Sequence, residues 1–272
     1  MDADTLKQKK RRGEKIVVLT CYDFPTATWE EEAAVDVIFV GDSVGTNILG
    51  YDSEHDVTMD DMIHHLKAVK RGVREAYLLV DLPYRSYETP EQGLENALRL
   101  RYLGARGVKV EGRVPEVVEV LSQRGIDVWG HLGLTPQRQE KRRYQARTAA
   151  RARDLLEDAK ALEMAGADAL VLELIPEEVG RAVSERLSIP TIGIGAGRFT
   201  DGQVLVISDI LGMEETALGH SARYAETRTS AISAISRYVG EVRDGRFPGT
   251  DHVRHLDEGE LRSFEQSMVA DE

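Results

Sequence analysis

Short apolar stretches alternate along the chain with longer stretches in which apolar residues recur every three or four positions. The short stretches are rich in Val, Ile and Leu and are apolar on both faces, which is typical of strands buried in a parallel sheet. We predict eight strands, at residues 16–20, 35–40, 76–81, 108–111, 127–130, 169–173, 191–195 and 204–208. The longer stretches predict helices at residues 24–33, 59–71, 90–103, 115–123, 148–165 and 176–186.

This alternation of strand and helix predicts right-handed βαβ units and a parallel sheet. Eight strands within roughly 250 residues favour an α/β fold that closes into a (β/α)8 TIM barrel, and an open doubly wound sheet is the alternative. We predict a single domain with the barrel at about 13–248 and an N-terminal helical segment at 1–12. A C-terminal extension would hold an amphipathic helix at 223–242 and a polar, poorly ordered tail at 251–272.

The acidic charge balance of the chain limits the classes of molecule that it can be expected to bind. The chain has 35 Lys and Arg against 47 Asp and Glu, a formal net charge of −12. This argues against binding to nucleic acid, so the basic run at residues 7–12 is predicted to be a solvated helix face rather than a nucleic-acid-binding arm. The apolar runs are far shorter than the roughly 20 residues of a membrane span, and the N-terminus lacks the apolar core of a signal peptide.

The single cysteine, Cys21, excludes a disulfide framework and a cysteine-based zinc site. A chain with so little cysteine suits a reducing compartment. We therefore expect a cytoplasmic protein that makes no contact with membrane.

Acidic residues lie at the ends of successive predicted strands. Asp42 follows the second strand, Asp81 ends the third, Glu111 ends the fourth and Glu173 ends the sixth. In a barrel these strand ends share the face on which active sites are built. A row of buried carboxylates needs compensating positive charge, and oxygen ligands suit Mg²⁺. The strand ends of Asp42, Asp81 and Glu111 therefore predict one Mg²⁺ site.

Structural roles remain open for these positions. An Asp at a strand end can cap the next helix or stabilise a turn, and Glu173, inside LVLELIP, could pair with a buried arginine. Lys109 lies two residues before Glu111, so both side chains point to the same side of the strand. His131, which follows the predicted fifth strand, is expected to project from the same face, with a structural role as its alternative.

The glycines of IGIGAGRFTDGQ, at residues 192–203, do not form a GxGxxG motif and follow a late strand. They give little support to dinucleotide binding. Close approach of the backbone to a ligand, or a tight turn, is the better interpretation.

Nine motifs occur in one order: LTCYDFPTA, VGDSVGTNILGYDS, VTMDDMIHH, DLPYRSYETPEQ, KVEG, GHLGLTPQ, LVLELIP, PTIGIGAGRFTDGQVLV and GRFPG. Through them the chain resembles the ketopantoate hydroxymethyltransferase (3-methyl-2-oxobutanoate hydroxymethyltransferase) family, from about Gly13 to Pro248. Four segments depart from the family pattern: a shorter one at 112–115, the one at 139–148 that contains KRRYQART, DSEHDVT at 52–58 and DHVR at 251–254. None includes a proposed metal ligand or the proposed base.

The resemblance implies an enzyme that transfers a hydroxymethyl group from 5,10-methylenetetrahydrofolate, or a modified pterin, to 3-methyl-2-oxobutanoate. The product would be 2-dehydropantoate (ketopantoate), in the first step of pantothenate and coenzyme A biosynthesis. The reaction would pass through an enolate stabilised by Mg²⁺. A (β/α)8 barrel and a homo-oligomer, often a decamer, are implied as well.

The resemblance also implies roles for individual residues. The metal-binding acids of the family fall on Asp42, Asp81 and Glu111, and its proton acceptor falls on Glu173. The positions implied to contact the substrate or line its pocket are Asp42, Ser43, Asp81, Lys109 and His131.

Two other functions remain as alternatives. One is a Mg²⁺-dependent carbon–carbon lyase of the isocitrate lyase and phosphoenolpyruvate mutase type, but nothing in the sequence resembles the KKCGH motif such enzymes usually carry. The other is a catalytically inactive barrel that serves as a binding or scaffold protein. The presence of every proposed ligand and of the base argues against it.

Overall fold

Eight parallel strands close into a barrel, in which each strand pairs with the next in chain order and β8 returns to β1. The computed structural model describes residues 1–137, 143–215, 219 and 221–269. The closed sheet confirms the predicted (β/α)8 barrel in place of the open alternative. The strands are β1 (Ile16–Thr20), β2 (Val37–Val40), β3 (Tyr77–Asp81), β4 (Gly107–Glu111), β5 (Asp127–Gly133), β6 (Ala169–Glu173), β7 (Thr191–Ile194) and β8 (Gly202–Leu205).

Helices surround the barrel, and shorter helical turns lie between them. The α-helices are α1 (Ala3–Arg12), α2 (Phe24–Glu32), α3 (Met59–Lys70), α4 (Pro90–Tyr102), α5 (Pro115–Gln123), α6 (Ala149–Met164), α7 (Glu177–Arg186), α8 (Ile207–Leu211), α9 (Thr227–Arg243) and α10 (Glu258–Val269). A π-helix covers Gly45–Leu49, and 3₁₀ turns cover Glu54–Asp56 and Thr250–His252. Within the described ranges, every helix is too short or too polar to cross a lipid bilayer.

Contacts divide the chain into two compact units, Met1–Tyr224 and Ala225–Glu272. The first holds the barrel and the second holds α9 and α10. Within the predicted polar tail, Glu258–Val269 is helical. Leu261, Phe264 and Met268 recur there at helical spacing, a signal that the polar composition of the tail obscures. The single-domain boundaries stay a prediction.

The predicted strands agree with the observed ones except that β5 continues three residues beyond its predicted end and that the last connection differs. Strand β8 begins at Gly202, two residues earlier than predicted, and no helix separates it from β7. Gly202 pairs with Ile16 of β1, and a Cβ at Gly202 would lie 2.3 Å from the Ile16 carbonyl oxygen. Only glycine allows this close approach. The glycine-rich segment thus contributes to barrel closure.

Two apolar layers hold this unit together. The inner layer fills the barrel and includes Phe39, Tyr77 and Trp129, with the Tyr77 and Trp129 rings stacked at 5.8 Å between centroids. The outer layer lies between the strands and the surrounding helices. Strands β1 to β7 have buried residues on both faces, which explains why most of them are nearly continuous apolar runs in the sequence.

Helix α1 closes the end of the barrel at which the strands begin. Leu6 is 1% exposed and packs with the inner layer. Lys7 binds Asp168 at 2.6 Å, and Lys9 binds Asp36 at 2.7 Å. The prediction that the basic run is a solvated face is therefore wrong for these lysines, because both form ion pairs with the barrel. Their partners precede β6 and β2 and are distant in the sequence, so the local pattern did not indicate them.

The aspartates that bind α1 also hold the strands. Asp36 accepts a hydrogen bond from the backbone N–H of Val17 at 2.9 Å, and Asp168 accepts one from Val128 at 3.0 Å. Asp201, which binds Lys10 at 2.8 Å, also accepts one from Thr191. Each carboxylate thus satisfies a backbone donor at the start of a strand while it anchors the helix.

Replacing Leu6 with Ala should lower the free energy of unfolding by about 2–5 kcal/mol, the usual cost of such a cavity. Urea unfolding followed by circular dichroism would measure the change. Leu98→Ala is the matched control, since Leu98 is 44% exposed on α4. Equal effects of the two substitutions would contradict the sealing role of α1.

A buried carboxyl lies on α2, away from the strand ends. Glu30 is 2% exposed and lies beside the buried thiol of Cys21. Burial, with a smaller contribution from Asp23, raises the pKa of Glu30 to about 9, although the hydrogen bond with Cys21 opposes the rise. The folded protein therefore keeps this proton over a pH range in which the unfolded chain, with a Glu pKa of about 4.3, has lost it.

The free energy of unfolding should therefore fall as pH rises from about 5 to 9, by up to about 1.4 kcal/mol per pH unit from this group. Glu30→Gln removes the ionisation, so its stability relative to wild type should increase over the same range. Urea midpoints at pH 5, 7 and 9 would show this. Glu32→Gln, at an exposed position of α2, is the control. Parallel pH profiles for wild type and Glu30→Gln would contradict the assignment.

Candidate active site

A cavity of about 310 Å³ opens at the ends of the strands opposite α1. It is lined by all seven residues that the sequence singled out: Asp42, Ser43, Asp81, Lys109, Glu111, His131 and Glu173. Of the glycine-rich segment at 192–203, Ile194 lines this cavity. The strand ends thus bring the candidate residues together, and their individual roles stay predictions.

Strand periodicity places these side chains. Tyr77 and Leu79 of β3 belong to the inner apolar layer, so Asp81, the next alternate residue, points into the same interior near the mouth of the barrel. The same alternation carries the interior series on β5 and β6 from Trp129 to His131 and from Val171 to Glu173. The interior positions near the start of each of these strands fill the core, and those near its end carry titratable side chains.

Lys109 lies among the carboxylates. Its Nζ is 2.9 Å from Asp81 Oδ1 and 3.5 Å from Glu111 Oε1. Burial alone would lower the pKa of Lys109, but Asp81, Glu111 and Asp42 together raise it above its usual value. The ammonium group is therefore retained inside the barrel.

His131 connects two of the acids. Its Nδ1 lies 3.0 Å from Glu111 Oε1, and its Nε2 lies 3.2 Å from Glu173 Oε2. Burial and Lys109 lower the pKa of His131, but Glu111 and Glu173 outweigh them, so the net direction is upward. His131 lies within β5, which extends to Gly133, rather than after the strand as predicted. Among the described residues, the ion-pair partner of Glu173 is this histidine.

Asp42 and Asp81 form the other side of the cluster. The backbone N–H of Asp42 donates to Asp81 Oδ2 at 2.9 Å. Burial raises the pKa of Asp42 well above its usual value, and Asp81 and Glu111 add to the rise. Burial also raises the pKa of Asp81, although Lys109 opposes the shift. Lys109 therefore leaves these two carboxylates incompletely compensated.

Glu111 behaves differently. Burial would raise the pKa of Glu111, but His131 and Lys109 lower it to about 2. Its Oε2 also accepts a hydrogen bond from the backbone N–H of Gln137 at 3.0 Å. The oxygens of Glu111 are thus already engaged, in contrast to those of Asp42 and Asp81.

The donor chemistry of the cluster fits a hard divalent cation. Asp42 and Asp81 offer carboxylate oxygens whose charge Lys109 does not fully balance. Among the described residues, no three His, Cys, Asp or Glu side chains are arranged as they stand to hold a metal ion. Mg²⁺ commonly takes one or two protein carboxylates and completes its shell with water and substrate. A site based on two carboxylates is compatible with both observations.

Sequence reasoning missed three residues that support the cluster. Tyr22, after β1, shares a 2.8 Å hydrogen bond with the hydroxyl of Ser43. Tyr87 accepts a hydrogen bond from the backbone N–H of Glu111 at 3.1 Å, and Gln137 donates to Asp42 at 2.6 Å. All three lie in motifs that carry the family resemblance, LTCYDFPTA, DLPYRSYETPEQ and GHLGLTPQ, which was the available signal.

The backbone next to Glu173 is tightly constrained. Leu174 has φ of +45°, a left-handed conformation that is uncommon for a residue with a bulky side chain. A Cβ at Gly133 would lie 2.2 Å from the Glu173 carbonyl oxygen, so only glycine fits beside it. The backbone N–H of Gln145 donates to the Leu174 carbonyl at 2.8 Å. Gln145 belongs to the segment at 139–148 that departs from the family pattern, and residues 139–142 of this segment lie outside the described residues.

Sequence comparisons with known proteins agree on one family. A sequence model described as ketopantoate hydroxymethyltransferase matches residues 1–250. A 3-methyl-2-oxobutanoate hydroxymethyltransferase of Chloroflexus aurantiacus is 46% identical over 262 residues, which cover 94% of this chain and 93% of that protein. A protein of the same name from Ignicoccus hospitalis is 45% identical over 250 residues, 90% of this chain and 95% of that protein.

Solved structures show the fold at low identity. A phosphonopyruvate hydrolase in complex with oxalate and Mg²⁺ matches with a TM-score of 0.63 at 11% identity, over 99% of this chain and 98% of that one. A 2,3-dimethylmalate lyase of the phosphoenolpyruvate mutase and isocitrate lyase superfamily matches with a TM-score of 0.58 at 14% identity, over 99% and 97% of the two chains. These likenesses concern the barrel, not the reaction.

Proposed function

The chain belongs to the ketopantoate hydroxymethyltransferase family, and we propose that its cavity transfers a hydroxymethyl group to 3-methyl-2-oxobutanoate. The observation that carries the proposal is the cluster of Lys109, His131 and Glu173 beside the acids of β3 and β4. It offers a cation for a substrate carboxylate and a carboxylate base in one cavity. The product is ketopantoate, which enters pantothenate and coenzyme A biosynthesis.

Substrate binding falls to Lys109 and Ser43. The ammonium of Lys109 balances the substrate carboxylate, and the Ser43 hydroxyl, held by Tyr22 at 2.8 Å, donates a hydrogen bond to it. Asp42 and Asp81, of which Asp81 lies 2.9 Å from the Lys109 ammonium, also contact the 2-oxo acid, and His131 lines its pocket. This arrangement fixes the substrate at the strand ends before any bond changes.

Glu173 acts as the base in this proposal. It removes the proton from C3, the branched carbon next to the ketone, and gives an enolate. His131, 3.2 Å from Glu173 Oε2, holds the carboxylate in place. The strained backbone at Leu174 and the close contact at Gly133 restrict Glu173 further, so the base is positioned before the substrate arrives.

Asp42 and Asp81 would hold Mg²⁺, with Glu111 as the third acid of the set. When bound, the ion would stabilise the negative charge that develops on the keto oxygen of the substrate. Glu111, whose oxygens already contact His131 and the backbone N–H of Gln137, would add negative charge beside the two aspartates.

The one-carbon donor is 5,10-methylenetetrahydrofolate or a modified pterin in this proposal. The enolate carbon C3 forms a bond to the methylene carbon of the donor. The carbon–nitrogen bonds of that methylene group to the donor are broken, and water supplies the hydroxyl group of the product. The cavity extends beyond the charged cluster to Thr46 and Asn47 of the π-helix, next to which the donor would approach.

The test is formation of ketopantoate from 3-methyl-2-oxobutanoate with each of several one-carbon donors, with Mg²⁺ and with EDTA. Product that depends on both a donor and Mg²⁺ supports the proposal and identifies the donor. Cleavage of 2-oxo acids without a donor would instead support a carbon–carbon lyase. The absence of either reaction would favour a binding protein.

We further propose a cytoplasmic homo-oligomer, a decamer, on the basis of the family resemblance. Light scattering coupled to size exclusion at micromolar concentration should give a mass corresponding to a decamer of 30.3-kDa chains. Injection at a tenfold lower concentration is the control for weak association. A mass near 30.3 kDa at both concentrations would contradict the proposal.

A further inference from the structure

Gln137 lies between two of the acids at the strand ends. It is 1% exposed, and its side-chain Nε2 donates to Asp42 Oδ2 at 2.6 Å and to the Leu82 carbonyl at 3.0 Å. Its backbone N–H donates to Glu111 Oε2 at 3.0 Å. A single residue from the loop after β5 therefore contacts an acid after β2 and an acid of β4.

The orientation of the Gln137 amide is determined by its partners. The Leu82 carbonyl oxygen can only accept, so the NH₂ group must face it, and the same group lies against Asp42 Oδ2. The amide oxygen faces the hydroxyl of Tyr87, which donates to it. Both amide protons and the carbonyl oxygen are thereby satisfied, as a buried amide requires. These contacts hold the Gln137 side chain in one orientation, and in that orientation its Nε2 donates to Asp42.

The bonds to Asp42 are unequal between its two oxygens. Oδ2 accepts the short bond from Gln137, whereas within the described part of the chain no group donates to Oδ1. We propose that Gln137 is a positioning residue of the cation site: its side-chain amide fixes Asp42 through Oδ2 and leaves Oδ1 for a divalent cation, while its backbone N–H fixes Glu111. This inference rests on the proposed function, which supplies the cation.

Side chain and backbone of Gln137 can be tested separately. Substitution of the side chain removes the bond to Asp42 but leaves the backbone bond to Glu111. Tyr87→Phe removes the hydroxyl that contacts the Gln137 carbonyl and the Glu111 backbone, yet it leaves both Nε2 bonds. The two substitutions therefore differ in whether Asp42 keeps its donor.

The experiment is titration calorimetry of the full-length protein with Mg²⁺ and with Mn²⁺ as the probes. Gln137→Met keeps the length of the side chain and loses its donors, and we expect a 10–100-fold weaker affinity for both ions. Tyr87→Phe should weaken it less. Gln123→Met, on the exposed face of α5, is the matched control and should leave it unchanged. Gln137→Asn, which keeps an amide but is shorter, should also weaken binding and replaces Gln137→Met if that variant does not fold.

Thermal melting in EDTA separates positioning from a purely structural role. Gln137→Asn and Gln137→Met with a lowered melting temperature but wild-type ion affinity would overturn the inference. Wild-type protein that binds neither ion would overturn the cation site and this inference together. Ion binding by wild type with equal loss in Gln137→Met and Tyr87→Phe would overturn the inference alone, because the bond to Asp42 would then have no separate effect.

Discussion

Replacing Glu173 with Gln is expected to lower turnover about 10²–10⁴-fold, the usual contribution of a general base. Gln has the shape of Glu but cannot accept the proton from C3. Binding of the 2-oxo acid should change far less, because Lys109 and Ser43 remain. Exchange of the C3 hydrogen with deuterated water, followed by NMR without the one-carbon donor, measures the proton-transfer step directly.

Glu178→Gln provides the matched control, since Glu178 is exposed on α7 five residues away. Its exchange rate should equal that of wild type. If Glu173→Gln also exchanges the C3 hydrogen at the wild-type rate, Glu173 is not the base. His131 would be the next candidate, because its Nε2 lies 3.2 Å from Glu173 in the same cavity.

Replacing Asp81 with Ala is expected to abolish both Mg²⁺ binding and turnover. Asp81 is a buried carboxylate incompletely compensated by Lys109, and its Oδ2 also holds the backbone of Asp42. Glu111→Ala should abolish turnover as well and weaken Mg²⁺ binding. The loss for Asp81→Ala should exceed the roughly 10–100-fold typical of residues behind the ligands. Titration calorimetry with Mg²⁺ provides the measurement.

Asp60→Ala is the control, because the side chain of Asp60 is 92% exposed on α3. Circular dichroism in EDTA would establish that each variant is folded before its affinity is compared. Unchanged Mg²⁺ affinity in both Asp81→Ala and Glu111→Ala would reject the metal assignment, whatever happens to turnover.

The strand ends could be predicted from sequence because they depend on local pattern. A short apolar run that ends in an acid predicts where the acid lies as soon as the sheet is parallel, and Asp81, Glu111 and Glu173 follow that rule. The end of β5 could not be predicted, since Gly130 suggests a strand terminus. A Cβ at Gly130 would lie 2.9 Å from Leu162 of α6, so this glycine allows close helix packing inside a continuing strand.

Residues that support the cluster from loops could not be placed by spacing. Gln137 reaches Asp42 across 95 positions of sequence, and Tyr87 reaches Gln137 across 50. Neither separation follows from helical or strand periodicity. Their motifs mark them only through the family resemblance, which gives no contact. The same limit explains why the ion pairs of the basic run of α1 were not predicted, because the barrel must close before the lysines lie near their partners.

That closure constrains the order of events during synthesis. Lys10 of helix α1 can bind Asp201 only after 191 more residues have been added. Strand β1 likewise needs β8 for one of its two ladders. At roughly 5–20 residues per second, the beginning of the chain waits roughly 10–40 s for its partners. During that interval Leu6 of α1 is without the inner-layer residues that bury it in the folded protein.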